Sequence, residues 1–544
     1  MTRKIIFVLL FTATIMACVP DDKNPVSDPT ITINTNSESL SKRFSLEGSG
    51  VVEIFGPDIL NGRLSEEDLP AGKVPLMMVS QVKPPVLEGK ELTATHVDIS
   101  DNYAFVSYNT VGPVFLGAIE IFDITDPLHP QIISQAVFKN GDVNSLSFKN
   151  GVLYAAAAFD IDQEPNIKTA AQLVKVHVSN GKFTSEFSKY DIEGYAAVDV
   201  CTTSEDIAVA SGSNGLVGLF NGTGEMHKNF HLDDLRAVKF GNDVIAVLSG
   251  TDGIKILKPS NLETIQNIWI EKDIAESKRT LDMAPGLLFA SEGLRGVGVY
   301  STSTGSFLQR LSIPIKPEGV EEGDVVTNAV SYADGKVFMA NGGAGVAVSQ
   351  IVENDVLEEI GILGISGSSN FIKAYNGFIF VASGRQGLQI LNLTQKDELA
   401  LTNEISCNGF GVYDGNANLN VNTGENVGYA GAVSLKNVNV GGNLTFCGSM
   451  AIESSLNINS DGMFLMNGSL VFGQYNKNNN LSINSNATMK VFGDLVIYGN
   501  LNLNSGSTLE FVGEGNKVTI FGNFQRGQNV TIKGDFIDTE GKLK

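Results

Sequence analysis

Arg236 and Arg279, Asn144, Asn328 and Asn370, and His96 fall at nearly one level when seven segments of this 544-residue chain are aligned on their apolar alternation. A guanidinium is a planar fork of donors, and an amide offers a donor and an acceptor together. Such a cluster suits a carboxylate or sulfate on a glycan or peptide. The alternative pairs the arginines with nearby acids, Asp233, Asp234 or Glu276. Further along the same segments come Asp98, Ser147, Asp199, Lys239, Asp282, Ser331 and Lys373, which read as charge pairs tying neighbouring segments together rather than as a metal site. His96, His129, His177, His227 and His231 share no ligand spacing, and neither a Gly-x-Ser-x-Gly elbow nor a cysteine–histidine pattern occurs. No catalytic residue, metal or cofactor is therefore expected.

The segments that carry these residues repeat. Five times a short apolar run precedes Gly-x-x-Gly and an alternating strand, with second glycines at Gly215, Gly253, Gly296, Gly345 and Gly387. Their separations of 38, 43, 49 and 42 residues fit one small antiparallel sheet per unit in a radial array. Period-two alternation indicates strands, and the glycines supply the positive φ of a tight hairpin. No Lys-Ser/Thr follows and no helix begins there, so the glycines are not a phosphate loop. Upstream runs such as Leu235 to Phe240 and downstream runs such as Glu358 to Leu363 bring each unit to four strands, a propeller blade.

Two divergent units precede the five, one beginning at Leu92 with an insertion around Thr110 to Leu116, the other at Asn144. The resulting reading is all-β: a seven-bladed β-propeller over 46–402, with blades from about 92 to 400, followed by a C-terminal parallel β-solenoid over 403–544. Lys73 to Lys83 resembles an outer strand and is expected to close the ring, with Glu398-Leu-Ala-Leu-Thr as the competing candidate. At Gly117-Ala-Ile-Glu-Ile-Phe-Asp-Ile-Thr-Asp-Pro127 and the later Gly-aliphatic hairpins, the chain resembles the bacterial LVIVD-repeat family of β-propellers over about residues 75 to 400. That family's motif is a structural strand, so the resemblance implies architecture and no activity. Leu219-Phe-Asn-Gly and Val348-Ser-Gln lack its Asp-x-[Ser/Thr]-x-Pro tail.

Residues 1–17 carry Arg3 and Lys4 before an apolar run too short to span a bilayer, ending Ile-Met-Ala-Cys18. This resembles a bacterial lipoprotein signal, which implies cleavage before Cys18 and lipidation of its thiol. Residues 18–45 read as a solvated tether, and Asp21 and Asp22 resemble the surface-export signal of Bacteroidetes-type lipoproteins. The expected location is the outer membrane, lipid-anchored, at the cell surface or on the inner leaflet.

Past residue 403 asparagine rises to about one position in six, and a second repeat appears at Leu456, Leu481 and Leu501, each opening Leu-x-[Ile/Leu]-Asn-Ser. Short strands with Asn/Ser/Gly corners read as coils of a solenoid, with asparagine ladders along the corners. Glu453, Asp461, Asp494 and Glu510 are scattered singly, so a stalk or adhesive surface is expected rather than a glycosidase. Cys407 and Cys447 are placed to pair in an oxidising compartment, whereas Cys201 reads as a buried thiol. A net charge of −22 argues against nucleic acid as a partner. These features together predict a non-enzymatic binding or adhesion module for an extracellular glycan or protein ligand, held at the membrane by lipid. The runner-up is a periplasmic scaffold that docks partner proteins, and a polysaccharide-active enzyme ranks third.

Overall fold

The computed structural model describes residues 30–52, 54–55, 71–203, 205–270, 278–314, 320–352, 355–393 and 405–543. The signal segment, Cys18, Asp21, Asp22, Glu276 and the Glu398 strand lie outside them. Seven antiparallel sheets form the blades of a propeller, with inner strands Thr93–Ser100, Gly141–Lys149, Ala197–Thr202, Leu235–Phe240, Leu281–Ala284, Ala329–Ala333 and Phe371–Tyr375. In blades 2 to 5, sequence order equals spatial order, as consecutive hairpins require.

The second glycine of the repeat explains its own recurrence. Gly253, Gly296, Gly345 and Gly387 adopt φ of +78°, +85°, +76° and +77°, a region open to glycine. A Cβ there would also meet the backbone of the outer strand, at the Ile268, Leu311, Leu363 and Val82 carbonyl oxygens in turn. Val82 belongs to the N-terminal strand Leu76–Val82, which pairs antiparallel with Leu388–Leu393 and is the fourth strand of blade 7. A segment about 300 residues upstream in sequence thus closes the ring.

The residues read as a tether enter the folded body before residue 45. Ile31–Asn34 adds a fifth strand to blade 1 beside Gln131–Phe138, and Phe44–Ser45 pairs with Gln81 and Val82. The cause is the alternation Ile31-Thr-Ile33, which buries Ile31 against the core between blades 1 and 2. Ile54–Phe55 likewise extends blade 6.

The C-terminal region is a parallel solenoid of about six turns. Three strands per turn stack into three faces: the first runs from Asn418–Val421 to Phe524–Arg526, the second from 426–430 to Thr531–Lys533, and the third from 432–435 to Phe536–Asp538. Inward residues stack in columns, as with Leu419, Val438, Leu456, Leu481 and Leu501, all buried. Between the second and third faces the chain turns at Gly431, Gly448, Gly468 and Gly493, with φ from +104° to +135°. A Cβ on Gly468 would overlap the Gly448 carbonyl, so stacked glycines are required at this corner. Asparagine ladders form, but mainly along the strands of the first face: Asn437 donates to Asn418 at 2.8 Å, Asn439 to Asn420 at 3.0 Å and Asn457 to Asn439 at 3.2 Å. Among the described residues, only Asn504 to Asn484, at 2.7 Å, follows a corner.

The third face packs on the propeller. Its outward Ala451, Val471 and Val496 join Met77 and Val79 in one core, and burial of each larger side chain contributes roughly 1.5–3 kcal/mol. Tyr498 Oη donates to the Val79 carbonyl, and Tyr475 N–H to that of Ser49. On the second face Cys447 is disulfide-bonded to Cys407, which straps the incoming segment to the solenoid wall.

Candidate functional site

The inner strands converge on a central channel, and four of them carry a bulge that decides where side chains point. The pairing register skips Thr95, Asn144, Val198 and Arg236, so one residue in each strand has no partner across the ladder. A bulge re-aims side chains that strict alternation would place elsewhere. In blade 3 the skipped residue is Val198, which sets Asp199 level with His96 and Cys201 level with Asp98. The level expected from sequence was two residues off in that blade.

Polar side chains run from blade to blade around the whole ring. Lys373 Nζ lies 3.8 Å from Asp98, closing blade 7 on blade 1. Asp98 accepts the Phe148 N–H at 2.7 Å, and Ser145 Oγ donates to Asp199 at 2.7 Å. Asp199 accepts the Val238 N–H at 2.9 Å, and Lys239 pairs with Asp282 at 2.9 Å. Asp282 accepts the Tyr332 N–H at 2.8 Å, and Ser331 Oγ accepts the Ala374 N–H at 3.3 Å. All seven junctions are crossed. Burial raises the Asp199 carboxyl despite its bonds to Ser145 and Val238. Burial acts the same way on Asp282, but Lys239, Lys373 and the hydrogen bonds outweigh it and hold that carboxyl below its ordinary value. Asp282 in turn raises Lys239, keeping it cationic.

The residues expected at the mouth belong to this network as well. Asn144 donates to the Ala197 carbonyl at 2.8 Å, Asn328 to Ser369 at 3.1 Å and Asn370 to Ala94 at 2.9 Å, each on the next blade. Arg236 pairs with Asp234 at 2.9 Å. Arg279 is 1% exposed, and its Nε donates to the Ser291 carbonyl of its own blade. These donors are thus engaged with backbone carbonyls and with Asp234. His96 is buried, packs tilted on Phe371 with centroids 3.7 Å apart, and accepts the Leu146 N–H at Nδ1. Burial first, then Lys278, Lys373 and Lys239, push its pKa well below the ordinary value, so the ring is neutral.

Lys278, the neighbour of the aligned Arg279, carries no mark in the repeat pattern. It crosses the axis from blade 5 and donates to the Thr95 and Asn144 carbonyls, both at 2.9 Å, with Nζ 5.3 Å from the Phe371 ring centre. Burial lowers its pKa to about 8, against the opposing pull of Asp199. Lys278, His96 and Phe371 plug the mouth. Beneath them the channel narrows to a void of about 80 Å³, then opens on the opposite face into a cavity of about 640 Å³ walled by Asp98, Lys149, Cys201, Lys239 and Lys373. Burial, then Asp199, push the half-buried Cys201 thiol up to about 12. No group of three or more His, Cys, Asp or Glu side chains among the described residues could hold a metal ion.

The mouth face is exposed and apolar at its rim. Val86, Val111, Val114, Ile161, Tyr195, Trp269 and Leu294 all lie in connections at the end where the inner strands begin. Trp269, the single tryptophan, is 77% exposed and Tyr195 69%. Nothing in the period-two pattern marks them, because all but Val86, in the two-residue strand Val86–Leu87, stand in loops.

No protein-family model matches the chain, and no curated protein matches it. Among solved structures, the WD40 β-propeller domain of Doa1 is 13% identical, with 58% of this chain and 97% of that one covered at a TM-score of 0.42. The computationally designed Ika8 protein is 13% identical, covering 64% and 98% at 0.39. A catalytically inactive virginiamycin B lyase from Staphylococcus aureus with quinupristin is 14% identical, covering 57% and 98% at 0.42. None of these likenesses bears on activity.

Proposed function

We propose that the chain is a lipid-anchored cell-envelope protein, held through Cys18 and displayed outward, that binds an extracellular protein or glycan on the mouth face of its propeller without catalysis. The observation that carries this reading is the rim of exposed apolar side chains around a plugged channel, with Trp269 and Tyr195 the largest. Exposed aromatics of this size mark binding surfaces, since each buries a large apolar area with few rotatable bonds. The channel's polar groups hold the blades together, which favours recognition at the rim over chemistry at the axis.

The test is a glycan and peptide array probed with the soluble chain from residue 24 onward, wild type beside Trp269→Ala/Tyr195→Ala. Binding that the double variant loses while keeping its thermal transition supports the reading. Silence across extracellular polymers, or binding indifferent to the substitutions, refutes it. Protease treatment of intact cells checks the display: a surface protein is shaved, whereas a periplasmic scaffold is spared.

A further inference from the structure

The three solenoid faces differ in chemistry. The third buries its outward column Ala451, Val471 and Val496 against the propeller. The second carries an ion ladder, Lys490 and Lys533 flanking Glu510 at 3.2 and 3.0 Å. The first turns two columns of side chains outward, and those columns hold only amides and hydroxyls. One runs Asn420, Asn439, Asn457, Ser482 and Asn502; the other starts at Asn418 and reaches Asn500. A solvated sheet in a chain with 38 basic and 60 acidic residues would ordinarily carry lysine and glutamate, which also guard against unwanted association. This one carries neither along its columns.

From this juxtaposition we infer that the first solenoid face binds an extended, uncharged polysaccharide laid along the solenoid axis. Each amide offers a donor and an acceptor, matching a hydroxyl that does both. The ladder bonds between Asn437 and Asn418, Asn500 and Asn480, and Asn502 and Asn480 fix the rotamers before any ligand arrives, which lowers the entropy cost of binding. Rungs recur every ~4.8 Å, close to the rise of one hexose in an extended β-linked chain, so a periodic ligand meets the same pair of groups at every sugar. A protein partner would want an apolar centre, and these columns present none. A polyanion would want a row of cations; none stand in the columns, and Arg526 in the last strand of the face donates to the Val530 carbonyl at 3.0 Å. The assignment is independent of the lipid anchor and of the propeller mouth.

The experiment is co-sedimentation of the soluble chain from residue 24 with microcrystalline cellulose and with curdlan, both neutral, and with a cross-linked polygalacturonate gel. Ser482→Lys places a long cation in the middle of one column, where Ser482 lies between Asn457 and Asn502, without removing a ladder amide. Thr445→Lys, on the second face, is the control. Retention on a neutral polymer, lowered at least tenfold by Ser482→Lys and unchanged by Thr445→Lys, is the expected result. Absence of retention on both neutral polymers, equal loss in both variants, or stronger retention on polygalacturonate overturns the assignment. Should Ser482→Lys unfold the solenoid, Asn502→Ala is read in its place, with the same outcomes. Retention here and on the mouth-face array are separate readouts, so either can fail alone.

Discussion

Replacing Asp282 with alanine should loosen the ring at two junctions at once. Its Oδ1 sits 2.9 Å from Lys239 Nζ on blade 4, and its Oδ2 holds the Tyr332 N–H of blade 6 at 2.8 Å. Truncation strands that amide, at a cost of about 1–3 kcal/mol. It also leaves Lys239 without its counter-charge, and breaking a buried pair costs roughly 3–5 kcal/mol. The Lys239 side chain is 32% exposed, so water recovers much of the second loss. A total of about 3 kcal/mol follows for Asp282→Ala, and roughly half of that for Asp282→Asn, which keeps an acceptor for Tyr332. The carboxyl is held below its ordinary value, so its stabilisation is present above the unfolded pKa of about 4 and fades as the pH falls through the folded one. Urea denaturation followed by circular dichroism measures the loss, and hydrogen exchange at the Tyr332 amide reports the junction directly. Asp282→Ala within about 0.5 kcal/mol of wild type, with Tyr332 still protected, would refute the claim that the polar ring holds the blades.

Three further outcomes are expected. Lys278 titrates near 8 when folded and about 10.4 when unfolded, so the unfolded chain binds more protons between those values, and the stability of wild type relative to Lys278→Met should rise from pH 8 to 10. A flat difference in parallel denaturation curves would count against a desolvated ammonium at the axis. Gly468→Ala should destabilise the solenoid by about 3 kcal/mol, because the strained φ and the overlap with the Gly448 carbonyl add; an unchanged thermal transition contradicts the stacked corner. Cys201 should react with a thiol reagent at pH 8 at least tenfold more slowly in the native chain than in urea, given a thiol pushed up to about 12. Equal rates would place it outside the channel wall.

Much of this architecture is legible in the residues because it is local and repeated. Period-two alternation and Gly-x-x-Gly report hairpins a few residues long, and in four of the five units the second glycine is constrained by its own φ and by a carbonyl of the same blade. The Leu-x-[Ile/Leu]-Asn-Ser repeat likewise reports both the inward column and the ladder beside it. Pairing across blades is not local. Whether Asn144 faces a ligand or the Ala197 carbonyl depends on a bulge that shifts the register by one residue, and composition carries no mark of it. Lys278 reads as one more basic residue until the ring brings blade 5 opposite blades 1 and 2, where burial and two carbonyls redefine its charge. The repeating sheets are readable from the residues alone, since each is specified by neighbours along the chain. Which polar groups hold the ring and which surfaces stay open emerges on folding, because burial and partners are properties of residues far apart in sequence.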